Sequence, residues 1–389
     1  MNESYECKYF GICGGCKLLN MPYSKTLEIK LKKVNDSLAK EGINVRATKC
    51  VPSLNETKYR NKMIIGFKYI KGKVIAGFYE EGSHRIVDID KCIMHTDVQN
   101  KIFNDFVDIV KKMHIEIYDE DKRCGILRYL LIREAFTTKE VMVVIIVSSD
   151  IFPARLNLTK ELRKRNPNIT TIIQNINSRK TSIVLGEKQK VLFGHGFIYD
   201  YIGDIKFRLG PKSFFQVNPQ QALNIYNEVK ELTNLKGSET VIDAYSGVAT
   251  ISAFIARNAK KVIAIEKNKE ACLAGIENLK DNGIKNVLIV NDDATNYLVQ
   301  EAKLHNTYDV VILDPPRSGS TEAFIKSVAS IKAKKVIYVS CEPSTLARDL
   351  KVFNGLGYII SSVKAFDMFC FSEHVESVCL LKNWAGNTN

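Results

Sequence analysis

The sequence predicts an α/β protein of two domains, and three observations support this fold class. Its 389 residues are too many for one small core and suit two domains. Over residues 47–201, strand-like runs alternate with turns and two stretches look helical, near 97–113 and 153–166; this is typical of antiparallel β structure with helices. The second half alternates strands with amphipathic helices, which predicts a parallel sheet. We therefore expect an α+β domain over 1–210 and an α/β domain over 211–389.

Charge and hydropathy restrict the class of protein. The chain has 56 Lys and Arg against 43 Asp and Glu, a formal charge of +13. This excess predicts a polyanionic partner, nucleic acid above all, although scattered surface lysines give the same balance. The N-terminus lacks the apolar core of a secretory signal, and the longest apolar run, VMVVIIV at 141–147, is too short to span a bilayer. We expect a cytoplasmic protein that binds no membrane and whose ten cysteines are reduced thiols or metal ligands.

The strand-like runs of the first half carry basic residues beside aromatic ones. Such pairs suit phosphate pairing and base stacking, and a solvated strand face gives the same pattern. We interpret them as an RNA-binding surface. The runs cover residues 61–70, 73–82, 127–136, 140–149, 170–177 and 181–186. The pairs are Tyr59 with Arg60, Lys68 with Tyr69, Arg128 with Tyr129, and Arg133 with Phe136.

Three cysteines near the N-terminus have the spacing of metal ligands. In CKYFGICGGC, Cys7, Cys13 and Cys16 follow the pattern C-x5-C-x2-C, and two glycines let the backbone fold around a ligand. Cys92, which follows a strand-like segment and a turn, is the best candidate for the fourth ligand. A tetrahedral zinc and an iron–sulfur cluster would use the same four thiolates, and the spacing separates them poorly.

The second half opens with a nucleoside-binding pattern. ETVIDAYSGVATISAFIARN reads as strand, turn and helix, and the next strand ends on Glu266, 23 positions after Asp243. At this spacing an acidic residue binds ribose hydroxyls in Rossmann-type sites. The turn lacks G-x-G-x-x-G and so has no cradle for a pyrophosphate, which argues against NAD and for S-adenosylmethionine. A third strand, NVLIVNDDA, places Asp292 and Asp293 where an adenine amino group would bind; a solvated turn is the alternative.

The fourth and fifth strands each deliver a reactive side chain to the carboxyl edge of the sheet. The strand in DVVILDPPRSG ends on Asp314. The strand in KVIYVSCEPSTLARDL covers Lys335–Ser340 and ends on Cys341, which could also be a small buried hydrophobe. If the last strand runs antiparallel beside the fifth, Glu376 at its start lies near Cys341. A thiol and a carboxylate beside a methyl donor suit methylation of uracil at C5, because a thiolate adds to C6 and a base later removes the C5 proton.

Several motifs occur in the order of a known family. CxxxxxCGGC, YRNK, FFQVNP, LDPPRSG, VSCEPSTLARDL and DMF…HVESV cover nearly the whole chain. Through them the sequence resembles the RNA uracil-5-methyltransferases, especially the iron–sulfur-containing 23S ribosomal RNA enzymes. The resemblance implies a seven-stranded Rossmann-like methyltransferase domain, S-adenosylmethionine as methyl donor and a [4Fe-4S] cluster.

The same resemblance assigns roles to individual residues. It implies that Cys341 is the nucleophile and Glu376 the proton-abstracting base, and that Asp314 meets both the uracil and the cofactor. The cluster ligands are then Cys7, Cys13, Cys16 and Cys92. The remaining cofactor-binding positions are Gln216, Tyr245, Thr250, Glu266 and Asp293.

Three features depart from the family pattern. Many relatives begin with a small β-barrel RNA-binding domain, and this chain starts directly at the cluster motif, so we expect no TRAM barrel. The turn SGVAT has Ala249 where relatives usually have a second glycine. Cys370 and Phe371 stand where relatives tend to have Pro and His, so the loop around Glu376 is expected to move differently.

The sequence therefore predicts a monomeric enzyme that forms 5-methyluridine in 23S ribosomal RNA. A transfer RNA enzyme acting on the T-loop uridine is the nearest alternative. A non-catalytic RNA-binding iron–sulfur protein is the second, and the presence of both Cys341 and Glu376 argues against it. A helix over about 22–41 is expected to pack on the catalytic domain.

Overall fold

The computed structural model describes residues 5–180 and 183–384, which form two compact units. The first comprises the chain up to Asn20 with Asn55–Tyr201 and Phe207–Pro219; the second comprises Met21–Leu54, Ile202–Lys206 and the chain from Gln220 onwards. These units differ from the continuous ranges expected from the sequence. The reason is that residues 21–54 bury apolar side chains in the core of the second unit; this segment contains the helix that was expected over about 22–41 to pack on the catalytic domain.

The helices and strands follow one another along the chain in the order in which they are numbered. The helices are α1 (Tyr23–Lys40), α2 (Asp97–Lys112), α3 (Arg155–Arg165), α4 (Pro219–Thr233), α5 (Thr250–Ile255), α6 (Lys269–Asp281), α7 (Ala294–Lys303), α8 (Glu322–Ser330) and α9 (Pro343–Gly355). None of these helices is long and apolar enough to cross a membrane. The first strands are β1 (Cys50–Val51), β2 (Lys62–Ile70), β3 (Lys73–Tyr79), β4 (Ile86–Asp88), β5 (Leu127–Glu134), β6 (Val141–Val147), β7 (Ile169–Ile176), β8 (Lys188–Phe193), β9 (Ile198–Ile202) and β10 (Ile205–Leu209). The remaining strands are β11 (Thr240–Ala244), β12 (Lys261–Glu266), β13 (Val287–Asn291), β14 (Val310–Leu313), β15 (Lys335–Ser340), β16 (Tyr358–Phe366) and β17 (Glu376–Asn383).

The first unit contains a sheet with the order β4-β3-β2-β5-β6-β7-β8. The sequence predicts antiparallel pairing, but β6 and β7 are parallel. The connection between them contains α3, and a helix of this kind supplies the crossover that parallel neighbours need. Apolar side chains of α2 and α3, such as Phe103, Phe106 and Leu158, are buried in the core that includes the residues of this sheet.

The edge strand β8 lies at a different place from the predicted strand over 181–186. Residues 181 and 182 lie outside the described residues, and 183–186 form no strand. The Asn177 side chain donates to the carbonyls of Ile183 and Val184 at 2.7 and 3.1 Å. These carbonyl groups are therefore bound by a side chain instead of a neighbouring strand.

The second unit contains a sheet with the order β1-β16-β17-β15-β14-β11-β12-β13. The sequence predicts seven strands; the additional one, β1, pairs in parallel with the end of β16. A two-residue strand has no periodicity that a sequence could show. β17 is antiparallel to both β15 and β16, and β11, β12, β13, β14 and β15 run parallel to one another. This matches the predicted α/β arrangement.

Candidate functional site

The carboxyl edge of the second unit's sheet collects most of the predicted site residues. Ala244 of β11 pairs with Ile265 of β12 and with Leu313 of β14, so the residues that follow these three strand positions lie side by side. Ile265 in turn pairs with Val290 of β13. The residues at this edge include Tyr245, Glu266, Asp293 and Asp314.

Cys341 and Glu376 meet at the same edge. Ser340 of β15 pairs with Ser377 of the antiparallel strand β17. Cys341 is the residue after Ser340, and Glu376 is the residue before Ser377. The two therefore lie opposite each other at the next position of this register. The structure therefore brings together the two residues that the sequence places in the chemistry, as the expected antiparallel last strand requires.

The Cys341 thiol lies in a surrounding that disfavours its charged form. The side chain is half-buried. Burial, followed by the nearby carboxyl groups of Glu376 and Asp314, raises the pKa of Cys341 to about 11, while the Arg317 guanidinium lowers it. At neutral pH and without substrate the sulfur is accordingly a thiol, and forming the nucleophilic thiolate requires a proton acceptor or a change of surroundings on binding.

Glu376 and Asp314 are carboxyl groups with raised pKa values. Glu376 is 7% exposed, and burial together with Asp314 raises its pKa to about 8 against the opposing effect of Arg317. Burial and the neighbouring Asp243 raise the pKa of Asp314 to about 7. A carboxylate with a pKa near the working pH is a stronger base than an ordinary glutamate and is suited to removing a proton from carbon.

Arg317 is a site residue that the sequence analysis did not single out. It belongs to the LDPPRSG motif, so the motif itself carried the signal. Its exposed guanidinium lowers the pKa of both Cys341 and Glu376. The Thr345 hydroxyl donates to the Arg317 carbonyl at 3.1 Å, which ties this loop to the first turn of α9. Arg317 supplies a positive charge beside the Cys341 thiol and the Glu376 carboxyl group.

Asp349 is a second residue that the sequence analysis missed. Its carboxylate, 1% exposed, accepts from the Ser320 amide and the Tyr338 hydroxyl, both at 2.7 Å. The adjacent Arg348 donates to Asp349 at 2.7 Å and to the Ser318 carbonyl at 2.9 Å. In the sequence, Asp349 could have been found as an acidic residue on the apolar face of a predicted helix. These bonds hold the segment after Asp314 against α9.

The turn after β11 is joined to the end of β12 through Glu266. One carboxylate oxygen of Glu266 accepts from the Gly247 amide at 3.0 Å and the other from the Asn268 amide at 2.6 Å. Ala249 has a φ of 60° and is 1% exposed. The residue that departs from the family pattern therefore adopts the left-handed conformation that favours glycine.

Two buried oxygen atoms at this turn have no partner among the described residues, Asp243 Oδ1 and Ser246 Oγ. The other Asp243 oxygen accepts from the Ser252 hydroxyl at 2.5 Å. Burying a polar atom without a hydrogen bond is costly. The turn can therefore accept the polar groups of a ligand such as S-adenosylmethionine.

The other predicted cofactor residues lie in different parts of the structure. Tyr245 lies with its hydroxyl 3.3 Å from that of Ser320, and Thr250 begins α5. Asp293 is the N-cap of α7. Burial would raise the pKa of Asp293, but backbone donors and Lys267 outweigh this and lower it. Gln216 belongs to the first unit, where its carbonyl accepts from Asn61 at 3.0 Å; its role in cofactor binding stays a prediction.

The four predicted ligand cysteines line one cavity of about 380 Å³ in the first unit. Burial raises the pKa of Cys16 to about 12 and that of Cys92 to about 11, and other cysteines of the set add to both shifts. Asn100 holds Cys92 by accepting from its amide at 2.8 Å and donating to its carbonyl at 3.0 Å. Within residues 5–180 and 183–384, no three Cys, His, Asp or Glu side chains form a site for a single metal ion.

The predicted RNA-binding pairs are largely structural. Tyr59, Arg128 and Arg133 are 1%, 3% and 2% exposed, and both arginines donate to backbone carbonyls. The prediction is wrong for these three residues, because a buried tyrosine ring cannot stack on a base and a buried arginine that donates to backbone carbonyls cannot pair with phosphate. Lys68 and Tyr69 are exposed and agree with the pattern.

Comparison with known proteins identifies relatives over almost the whole chain. Residues 23–384 match the family model described as tRNA (Uracil-5-)-methyltransferase. An uncharacterized RNA methyltransferase of Halalkalibacterium halodurans is 40% identical over 381 residues, covering 97% of this chain and 82% of the relative. One of Clostridium tetani is 38% identical over 376 residues, covering 96% and 82%.

A solved structure has the same fold. The Pyrococcus abyssi tRNA (uracil-54, C5)-methyltransferase, crystallised with S-adenosyl-L-homocysteine, aligns with a TM-score of 0.79 and 28% identity. The alignment covers 95% of this chain and 86% of that one. Together with the edge at which Cys341 meets Glu376, these matches show that the chain is an RNA methyltransferase and belongs to the tRNA (uracil-5-)-methyltransferase family.

Proposed function

We propose that this protein transfers a methyl group from S-adenosylmethionine to C5 of a uridine in RNA, with Cys341 as nucleophile and Glu376 as base. The observation that carries the proposal is the register of β15 and β17, which places the thiol and the carboxyl group at adjacent positions of one sheet edge. The family, and the neighbour crystallised with S-adenosyl-L-homocysteine, support the donor and the methylated atom.

The reaction begins with addition to the uracil ring. The Cys341 thiolate forms a bond to C6, and the electron pair of the C5–C6 double bond moves to an enolate that includes O4. C5 then takes the sulfonium methyl group, whose former bonding pair stays on the donor sulfur. Glu376 next removes the C5 proton, the C5–H pair restores the double bond, and the C6–S bond breaks with its pair returning to Cys341.

The site electrostatics suit this order of steps. Arg317 favours the thiolate of Cys341 and the carboxylate of Glu376. The raised pKa of Glu376 makes its carboxylate a good proton acceptor once the covalent intermediate exists. Asp314 lies between the thiol edge and the cofactor turn, and we propose that it contacts both uracil and donor.

The donor is proposed to occupy the turn after β11. Glu266 would bind the ribose hydroxyls and Asp293 the adenine end, with Gln216, Tyr245 and Thr250 as further contacts. The unpartnered oxygens of Asp243 and Ser246 are the structural observation that fits a polar ligand there.

The cysteine cavity is proposed to hold a [4Fe-4S] cluster on Cys7, Cys13, Cys16 and Cys92. All four donors are thiols around one cavity, which fits thiolate ligation of a cluster. A tetrahedral zinc ion would use the same four thiolates, and the resemblance to the iron–sulfur enzymes is what favours the cluster. The cluster would stabilise the fold of the surrounding segment.

We propose 23S ribosomal RNA as the substrate, because the cysteine motif resembles that of the iron–sulfur 23S ribosomal RNA enzymes. A transfer RNA uridine is the second candidate, favoured by the Pyrococcus abyssi neighbour, which is a tRNA (uracil-54, C5)-methyltransferase. Mapping 5-methyluridine in both RNA classes from a strain lacking the protein separates them. Loss of the modification from ribosomal RNA alone supports the first candidate, and loss from transfer RNA alone contradicts it.

The chemistry is tested by the fate of the covalent intermediate. With RNA and S-adenosylmethionine, Glu376→Gln should methylate once and remain attached to the RNA, because the C5 proton cannot leave. Denaturing electrophoresis should show a protein–RNA band that disappears in the double variant with Cys341→Ala. Cys341→Ala alone should neither methylate nor form an adduct. Turnover of Glu376→Gln near the wild-type rate, or an adduct without Cys341, contradicts the proposal.

A further inference from the structure

The loop that precedes Glu376 is held by side chains of α1. This base loop, residues 367–375, connects β16 to β17, so its last residue is bonded directly to Glu376. Most of it is buried, including Met368 and Val375 at 0% and 1% exposure. The conformation of the base loop therefore sets the position at which the chain enters β17 at Glu376.

A buried ion pair joins α1 to the first residue of the base loop. Lys30 Nζ contacts Asp367 Oδ1, and both side chains are completely buried. The same ammonium group donates to the Phe369 carbonyl at 2.8 Å. A buried ion pair adds little net stability, but removing one partner leaves a buried charge unpaired. The pair consequently acts mainly to specify where the base loop lies against α1.

Two further side chains of α1 contact the base loop. The Tyr23 hydroxyl donates to Asp367 Oδ2 at 2.7 Å, and its ring centroid lies 5.5 Å from that of Phe371. The Lys33 ammonium donates to the Glu373 carbonyl at 3.2 Å. The contacts thus extend from the beginning of the base loop almost to Glu376.

The backbone of the base loop needs this support. Phe371 has a φ of 59° and is 1% exposed. A left-handed conformation is unfavourable for a residue with a large side chain and persists where the surroundings impose it. The Tyr23 ring, packed against Phe371, is one of the groups that impose it.

We propose that Tyr23, Lys30 and Asp367 are positioning residues that place Glu376 for removal of the C5 proton. The inference rests on the proposed function. Its effect falls on the last step, in which Glu376 takes the proton, the C5–H pair forms the double bond and the C6–S pair returns to sulfur. Addition and methyl transfer depend on Cys341, which directly follows β15 and lies outside the base loop.

The test is a single-turnover experiment with Tyr23→Phe, substrate RNA and radiolabelled S-adenosylmethionine. This variant removes one hydroxyl and keeps the ring beside Phe371. Methyl transfer to RNA should stay within about threefold of wild type, while release of RNA from the covalent adduct slows about tenfold or more. Lys33→Ala removes the hydrogen bond to the Glu373 carbonyl. This variant should likewise slow release of RNA relative to methyl transfer. A labelled adduct should therefore accumulate, as is expected for Glu376→Gln.

Tyr358→Phe is the matched control. Tyr358 is a buried tyrosine of the same unit, and its hydroxyl donates to the Ala333 carbonyl at 2.8 Å without contacting the base loop. It should lose comparable stability and accumulate no adduct. Adduct in this control at the level of Tyr23→Phe would overturn the inference.

The outcomes distinguish the inference from the function on which it rests. Adduct with Glu376→Gln but normal release by Tyr23→Phe and Lys33→Ala would overturn the positioning role alone. No adduct with Glu376→Gln would contradict the proposed function and the positioning role together.

Discussion

At the scale of single residues, the burial that makes Glu376 a good base also opposes its ionisation in the folded protein. Its pKa rises from an ordinary value of 4.5 to about 8. Between these two pH values the unfolded chain has lost a proton that the folded protein keeps. The stability contributed by this group is therefore fully present below about pH 4.5 and is lost as the pH rises through about 8.

Replacing Glu376 by Gln should consequently stabilise the protein in a pH-dependent way. Relative to wild type, the free energy of unfolding of Glu376→Gln should be larger at pH 8 than at pH 5 by about 1–3 kcal/mol. Urea denaturation at the two pH values measures it. Glu231→Gln, at an exposed position of α4, is the control and should show no such difference. Equal effects for both variants would mean that burial does not raise the pKa of Glu376 in solution.

Glu266 combines two tasks at the cofactor turn, since it accepts two backbone amides and is proposed to bind the ribose. Glu266→Ala should weaken binding of S-adenosylmethionine by about 1–3 kcal/mol, because ribose hydroxyls and backbone donors lose their acceptor. Isothermal titration calorimetry measures the change. Glu270→Ala, at the start of α6, serves as the control. Unchanged affinity of the Glu266 variant would remove this residue from the donor site.

At the scale of elements, the turn between β11 and α5 contains a strained residue. Ala249 has a positive φ of 60° at the N-cap of α5. Ala249→Gly should raise stability by up to about 1 kcal/mol, because relief of the left-handed conformation exceeds the added freedom of the unfolded chain. Thermal unfolding measures this. Ala253→Gly, inside α5, should instead lower stability, and a destabilised Ala249→Gly would show that the methyl group packs favourably.

Elements also show where prediction from local patterns succeeds. β15 has the bounds predicted for it, Lys335–Ser340, because a run of Val, Ile and Tyr between polar segments defines a buried strand locally. The parallel pairing of β6 with β7 was not predictable in this way. Strand direction depends on which strands become neighbours, and single-strand periodicity carries no information about neighbours.

At the scale of the whole molecule, the cysteine cavity provides the next test. Anaerobically purified protein should be brown, and Cys16→Ser should bleach it and lower its melting temperature, because the binding energy of a cluster contributes to folding. Absorption spectroscopy and iron and sulfide analysis measure the cluster. Cys124→Ser, at an exposed cysteine outside the cavity, should leave colour and stability unchanged. Stoichiometric zinc in colourless protein would contradict the cluster.

The overall charge of +13 agrees with an RNA substrate, but sequence alone misplaced part of the surface that binds it. Arg128 and Arg133 follow a pattern typical of RNA contacts, and both are buried with their donors on backbone carbonyls. A strand pattern identifies alternate faces but not which face another part of the chain covers. The positions of charged side chains therefore depended on packing between distant segments.

The sequence by itself determined seven strands of the α/β unit and the residues at their carboxyl edge, Asp314, Cys341 and Glu376 among them. This is possible because strand periodicity and turn chemistry are local, and because parallel strands bring their carboxyl ends to one edge. Only the tertiary structure decided that Arg317 stands beside the thiol and that Lys30 is buried against Asp367. These two residues are 337 positions apart in the chain. A buried charge is tolerated only beside a partner of opposite charge. The sequence does not show which residue that partner is, because the folded chain brings the two together.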